Sequence, residues 1–231
     1  MNRFYEQVTV APLDGRCTVQ LDGRPILTQG GQPLLLPNGQ LAELLATEWR
    51  SQGEQIDPAA FRHRDMADYA LDVVAPNPAA VIEKLLGYAE TDTLCYRADP
   101  DEPLFRRQQD VWEPILSTFE AREGVAMVRV SGVLHRPQPA AMLDTLRGRL
   151  LRYDAFTLAA LEQLTALAAS LCIGLEALQP DADGEALWDA ASLEEHWQAE
   201  QWGSDDEAQA RLDKRKSDFL AAMTFARAAR D

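Results

Sequence analysis

Shared-proton acid catalysis, nucleophilic attack and metal-assisted hydrolysis each demand particular side chains at particular spacings, and this chain offers few of them. Its three histidines, His63, His135 and His196, stand in no GxSxG or HExxH context. Acidic neighbours such as Glu194-Glu195 and Asp205-Asp206 point about 100° apart on a helix, so neither pair can share a proton as a catalytic dyad does. Cys17, Cys95 and Cys172 lie far apart without CxxC or Cys/His spacing, which fits neither a zinc site nor a disulfide framework and implies a reducing compartment. Asp181-Ala182-Asp183-Gly184 imitates part of a calcium loop, but the ligand pattern is absent and a helix-starting turn explains it better. Gly30-Gly31 is a turn rather than a phosphate loop, since no Lys and Ser or Thr follow. The expectation is no catalytic residue, no metal and no cofactor.

Binding chemistry is better represented. Between Asp181 and Glu207 the chain carries ten acidic side chains and three tryptophans without one lysine or arginine. Projected as one helix, Ala186, Ala190, Leu193 and Trp197 share an inward face, and Trp188, Ala191, Glu195, Gln198 and Trp202 share an outward one. Aligned exposed aromatics are unusual on a monomer, so the outward stripe reads as a recognition surface. A helix sandwiched on two sides, with both Trp188 and Trp202 in the core, fits the same pattern. Gly203 is placed for a left-handed cap, Ser204 with Glu207 forms a capping box, and Asp205, Asp206 and Glu207 fall in the first turn of the next helix. Either Asp92 caps a turn and Arg97 pairs with it internally, or the two present a polar edge in a cleft between domains.

The elements that must position these residues fall into two groups. Tyr5 to Val10, Cys17 to Leu21, Pro25 to Thr28 and Pro33 to Leu36 read as strands, with hairpin turns at Asp14-Gly15 and Asp22-Gly23. Asn38 caps a helix with Leu41, Leu44, Leu45 and Trp49 at helical spacing, and Trp49 reads chiefly as the anchor packing that helix on the sheet. A second helix, Phe61 to Val74 with Met66, Ala70, Leu71 and Val74 inward, ends at Pro76-Asn77-Pro78. Beyond it the chain is almost entirely helical. Val81 to Ala89, Leu104 to Glu123 with a bend at Pro114, Met142 to Arg152 and Phe156 to Leu178 are helices, and Met127 to Val130 is a short strand. Phe156 to Leu178 is apolar on nearly every face, as in a helix surrounded by others. The fold class is therefore α+β: a mixed domain over residues 1–75 and a helical domain over 76–231.

A length of 231 residues with 46% hydrophobic and 26% charged side chains is ordinary for a chain with a real core. The formal net charge of −15 argues against nucleic acid and favours basic partners. No uncharged run approaches membrane-spanning length, and the N-terminus has no apolar leader.

The order of motifs resembles a known family. RFYEQVTV, LDGRPILT, LLLPNGQLAELLATEWRSQ with Glu48-Trp49 and Gln52, ALD at Ala70 to Asp72, YAETDTLCYRA around Asp92 and Arg97, LFRRQQDVWEPIL, LCIGLEAL and LEEHWQAEQWG together are similar to the F(1)-ATPase assembly chaperones. These are the mitochondrial assembly factor two family and its bacterial relatives. Phe61-Arg62-His63-Arg64 departs from the family's usual Met-Pro-Leu-Thr-like segment. The resemblance implies a chaperone that holds the unassembled alpha subunit of ATP synthase and masks the surface later used by beta, without nucleotide hydrolysis. It places the partner contact on Glu194, Glu195, Gln198 and Trp202, to which the outward helical face adds Trp188, with Asp92 and Arg97 as further candidates. Lack of a transit peptide points to a bacterial cytoplasmic member, expected to be a monomer when free. A generic adaptor for a basic partner, or a hydrolase acting on a cationic small molecule, are the alternatives from other classes.

Overall fold

The computed structural model describes residues 1–132, 136–203 and 205–230; His135 and the Ser204 cap lie outside them. Contacts divide the chain into two compact units. Unit 1 comprises Met1–Pro78, Asp154–Ala160 and the stretch from Ala221 onward, and unit 2 comprises Ala79–Tyr153 and Leu161–Leu220. The fold is α+β, with its sheets small and its later chain helical.

In unit 1, strands β1 (Val8–Leu13) and β2 (Arg16–Leu21) pair antiparallel from Val8 opposite Leu21 to Leu13 opposite Arg16. Both Asp14 (φ 51°) and Gly15 (φ 73°) have the positive φ that the twist of a two-residue hairpin requires. The same holds at Asp22 (φ 49°) and Gly23 (φ 77°), which lead to β3 (Arg24–Pro25). Expected strands at 25–28 and 33–36 shrink to β3 and the single bridges Leu27–Pro33 and Cys17–Leu36. Pro25 and Pro33 lack the N–H that a ladder needs. Tyr5, expected in the first strand, precedes it, is buried, and donates its hydroxyl to Trp49 O at 2.6 Å.

Helix α1 (Gly39–Arg50) starts where Asn38 Oδ1 accepts from Leu41 N at 2.8 Å, and it buries Leu41, Ala42, Leu45, Ala46 and Trp49. Trp49 meets Tyr5 edge-on at 5.5 Å and Phe61 at 4.5 Å, as expected of an anchor. Glu48 does something a sequence motif cannot show. Its two carboxylate oxygens accept from His63 N (2.7 Å) and Arg64 N (2.9 Å), so it caps helix α2 (Arg62–Tyr69) from the neighbouring helix. Gln52 Oε1 likewise accepts from Asp57 N at 2.7 Å. From Ala70 to Val74 the helix widens into a π-turn, which leaves Met66 and Leu71 only half-buried while Ala70 and Val74 stay inside. Asp72 in that turn accepts from Thr28 Oγ1 and Gly30 N, both at 2.7 Å. A Cβ on Gly30 would lie 2.8 Å from that carboxylate, which accounts for the glycine.

Unit 2 holds α3 (Pro78–Glu90) except for its first residue, β4 (Tyr96–Arg97), α4 (Pro103–Glu123), β5 (Val130–Ser131) and α5 (Ala140–Leu150). Strands β4 and β5 pair in parallel. The single helix expected over 156–178 is two, α6 (Ala155–Ala168) and α7 (Leu171–Ala177). Ala169 adopts φ 49°, and Ser170 Oγ then accepts from Ile173 N to cap the new helix. Apolar composition alone conceals such a break. Helices α8 (Gly184–Ala191), α9 (Leu193–Trp202) and α10 (Asp206–Arg230) complete the chain.

Candidate interaction surface

The acidic, tryptophan-bearing stretch is not one helix. Asp183 Oδ1 accepts from Glu185 N and Ala186 N to start α8, confirming a helix-initiating turn. The helix then stops at Ser192, whose backbone (φ −100°, ψ 18°) leaves the helical region. Both the N–H and the hydroxyl of Ser192 donate to Trp188 O, at 2.9 and 2.7 Å. The i→i−4 bond is kept, and the hydroxyl is a second donor to the same carbonyl, an arrangement that bends helices. The 100° projection therefore cannot be carried from Trp188 to Trp202.

This corrects the expected outward face. Trp188 is 1% exposed, packs on Phe219 at 5.6 Å, and lies under the Arg215 guanidinium at 5.3 Å. Ala186, expected inside, is exposed. Glu194 is half-buried and accepts from Gln108 Nε2 at 2.8 Å; desolvation raises its pKa, partly offset by that hydrogen bond. Trp197, expected inside, is only half-buried, with the Arg107 guanidinium 5.6 Å from its ring.

What α9 does present outward is Glu195, Gln198 and Trp202, the last 79% exposed. These line an open cavity of about 500 Å³ whose other wall includes Ala208, Leu212 and Arg215 of α10. Glu195 pairs with Arg215 at 3.2 Å, and Arg107 pairs with Glu200 on the flank. Gly203 makes the corner, but with φ 84° and ψ 158°, a nearly extended region open only to glycine rather than the left-handed one expected. Asp205 is the cap of α10 and not part of its first turn: its Oδ1 accepts from Glu207 N at 2.8 Å.

Asp92 and Arg97 are interior residues. Asp92 is fully buried and accepts from Leu94 N (3.1 Å) and Cys172 N (3.0 Å), tying the turn after α3 to the start of α7. Burial pushes its pKa up, against the hydrogen bonds from Cys172, Ser170 and Leu94. Arg97 does not pair with it. Its guanidinium is buried and reaches Leu94 O (2.8 Å), Gln109 and Glu113 (3.1 Å). Neither side chain forms a surface edge in this structure. Burial raises the Cys95 thiol to about 12, so it is held as an unreactive core group. Among the described residues, no cluster of His, Cys, Asp and Glu could hold a metal, and no helix is long and apolar enough to cross a membrane.

A family profile described as ATP12 chaperone protein matches residues 2–120. The chain belongs to the ATP12 chaperone family. That is the assembly-chaperone family its motifs resemble. The crystal structure of Atp12 from Paracoccus denitrificans is similar with a TM-score of 0.93 at 35% identity, covering 99% of this chain and 98% of that one. A crystal structure from Agrobacterium tumefaciens is similar with a TM-score of 0.94 at 37% identity, covering 98% and 85%. The mitochondrial protein atp12 of Schizosaccharomyces pombe is 23% identical over 182 residues, 73% of this chain; the match spans 61% of that relative's length. In this ATP12-family chain the profile match ends within α4, so the Trp202 surface lies outside the matched segment.

Proposed function

We propose that this ATP12-family chain is an assembly chaperone for the F(1) sector of ATP synthase. It binds the unassembled alpha subunit, shields the surface later used by beta, and is not an enzyme. The observation that carries the reading, beyond family membership, is Trp202: a large aromatic side chain standing in solvent beside a cavity with Glu195 and Gln198. Leaving an indole exposed forgoes the burial that stabilises most tryptophans, and aromatic residues of this kind concentrate binding energy at interfaces. Trp202, Glu195 and Gln198 are the contact; Trp188 and Glu194 hold α8 and α9, while Asp92 and Arg97 brace the turn after α3 against α7 and α4. The solved relatives come from bacteria, and the place of action is the bacterial cytoplasm.

The test is capture of the alpha subunit by the full chain in cells where beta is limiting, repeated with purified alpha subunit across a salt series. Retention that varies little with salt supports aromatic burial. Loss as salt rises would instead favour a charge-selected adaptor, because exposed ion pairs are screened within about 10 Å at 0.1 M. Failure to retain alpha under either condition overturns the assignment.

A further inference from the structure

Helix α9, which carries Glu195, Gln198 and Trp202, has little of its own to keep it folded. Of its ten residues only Leu193 is buried, whereas α8 before it buries Leu187, Trp188 and Ala190, and α10 after it buries Phe219, Ala222 and Met223. An isolated helix of this length is marginal in water, so caps or packing must hold it. The caps do little. Ser192 is placed to cap α9, but its hydroxyl donates to Trp188 O and makes no capping bond to the helix it precedes. At the far end the chain leaves through Gly203 at φ 84° and ψ 158°. Both ends of α9 are therefore backbone breaks. Its packing is polar and comes from neighbouring elements. On the α4 side Glu194 accepts from Gln108 Nε2 at 2.8 Å, Glu200 pairs with Arg107 at 2.8 Å, and the Arg107 guanidinium lies 5.6 Å from the Trp197 ring. On the α10 side Glu195 pairs with Arg215 at 3.2 Å, along a stretch of α10, Asp206 to Asp218, that is exposed or half-buried throughout. Water replaces such half-exposed ion pairs readily, which puts α9 at the low-stability end of the molecule, where local opening needs no global unfolding.

We infer that α9 is a hinged arm: it unwinds between Ser192 and Gly203 and reforms while the rest of the chain stays native, and the client binds the formed helix and holds it in place. The second half rests on the reading of Trp202 as the client contact; the first half does not. Glu195, Gln198 and Trp202 share one outward face only while α9 is helical, so the surface exists only in the formed state. Apparent client affinity is then the intrinsic affinity reduced by the fraction of molecules in which α9 is formed. Arg107 and Glu200 become positioning residues for Trp202, acting through the helix that carries it.

Native-state hydrogen exchange of the full chain, read by mass spectrometry on pepsin peptides, tests the arm without any client. Amides of 195–203 should exchange about 100-fold or more faster than those of α7 and of residues 219–230, yet slower than in an unfolded chain. Arg107→Ala removes an ion pair and a ring contact and should speed α9 exchange about fivefold, while Glu200→Gln removes the pair alone and should speed it about twofold. Both side chains are partly exposed, so melting temperature and the exchange of α7 should stay parental. Protection of α9 equal to that of α7, exchange of α9 at the unfolded-chain rate, or no acceleration in Arg107→Ala overturns the arm. So does a variant that melts early or exchanges faster throughout, because α9 would then belong to the cooperative core. With purified alpha subunit added, α9 exchange should slow about tenfold. Alpha subunit retained without any slowing overturns the client half of the inference. If alpha is never retained while α9 exchanges as stated, the arm stands and the reading above fails.

Discussion

The tryptophans of α8 and α9 separate folding from binding at single side chains. Trp188 is sealed against Phe219, so Trp188→Ala should cost about 3 to 5 kcal/mol of stability, read as an early melt or insoluble protein. Trp202 touches mostly solvent, so Trp202→Ala should melt with the parent while losing capture of the alpha subunit by about 2 kcal/mol or more. An early melt of the Trp202 variant with full capture would reverse this assignment. Periodicity faces both Trp188 and Trp202 outward; the structure does so only for Trp202, because the backbone of Ser192 leaves the helical region between them, and a serine in a helical pattern does not announce that break. Asp68 offers a pH test. Burial raises its carboxyl to about 6 from 3.8, against the nearby Arg64. The folded state thus holds the proton more tightly than the unfolded one, so stability falls as pH rises from about 4 to 6 and the loss persists above. A shift of about two units is worth up to roughly 3 kcal/mol. Asp68→Asn should therefore gain on the parent in melting temperature between pH 4.5 and pH 7; a constant difference would show that Asp68 does not titrate in that window.

At the scale of elements, the chain announces its turns and hides its breaks. Asp14-Gly15, Asp22-Gly23 and the Asn38 cap are legible because each residue type answers a local backbone demand, and all three are found. The α6–α7 break is not legible, because alanine at 169 gives no warning of φ 49°. Nor is the Glu48 cap, where the carboxylate and the two N–H groups it accepts are brought together only by helix packing. Two substitutions follow. Ala169→Gly relieves a left-handed alanine, whose conformation costs roughly 1 to 2 kcal/mol, against the smaller cost, about 0.5 to 1 kcal/mol, of the extra freedom glycine has in the unfolded chain. The net should be a gain of about 0.5 to 1 kcal/mol in urea unfolding. A loss of stability would show that the methyl group makes contacts that outweigh the strain. Glu48→Gln keeps the side-chain shape but removes the negative charge from the start of α2 and replaces one of the two acceptor oxygens by an NH2 donor, and should cost about 1 to 2 kcal/mol. Full stability in that variant would mean that neither the charge nor the second acceptor holds the start of α2.

For the whole molecule, the question is whether residues 1–75 and 76–231 are separable, and we propose that Pro76-Asn77-Pro78 is the linker at which the chain can be cut. Residues 75–80 are all exposed, so a protease site engineered at Asn77 should be cleaved without prior unfolding. Yet unit 1 is completed by chain from beyond that point. Within it, Asn38 Nδ2 donates to Ala228 O at 2.8 Å, the His63 ring stacks on Phe225 at 6.5 Å, and Phe156 and Phe225 are buried and meet at 6.4 Å. Each such phenylalanine contributes about 1.5 to 3 kcal/mol by burial, which the cut does not remove. The nicked protein should therefore elute as one species in native buffer and separate into two fragments only in denaturant. Expressed alone, residues 78–231 should aggregate, because the segments at 154–160 and from Ala221 would leave Phe156, Leu158 and Phe225 without the rest of unit 1. If instead the fragments part in native buffer and each melts cooperatively by itself, the returning segments add little, and residues 1–75 and 76–231 are domains in the full sense.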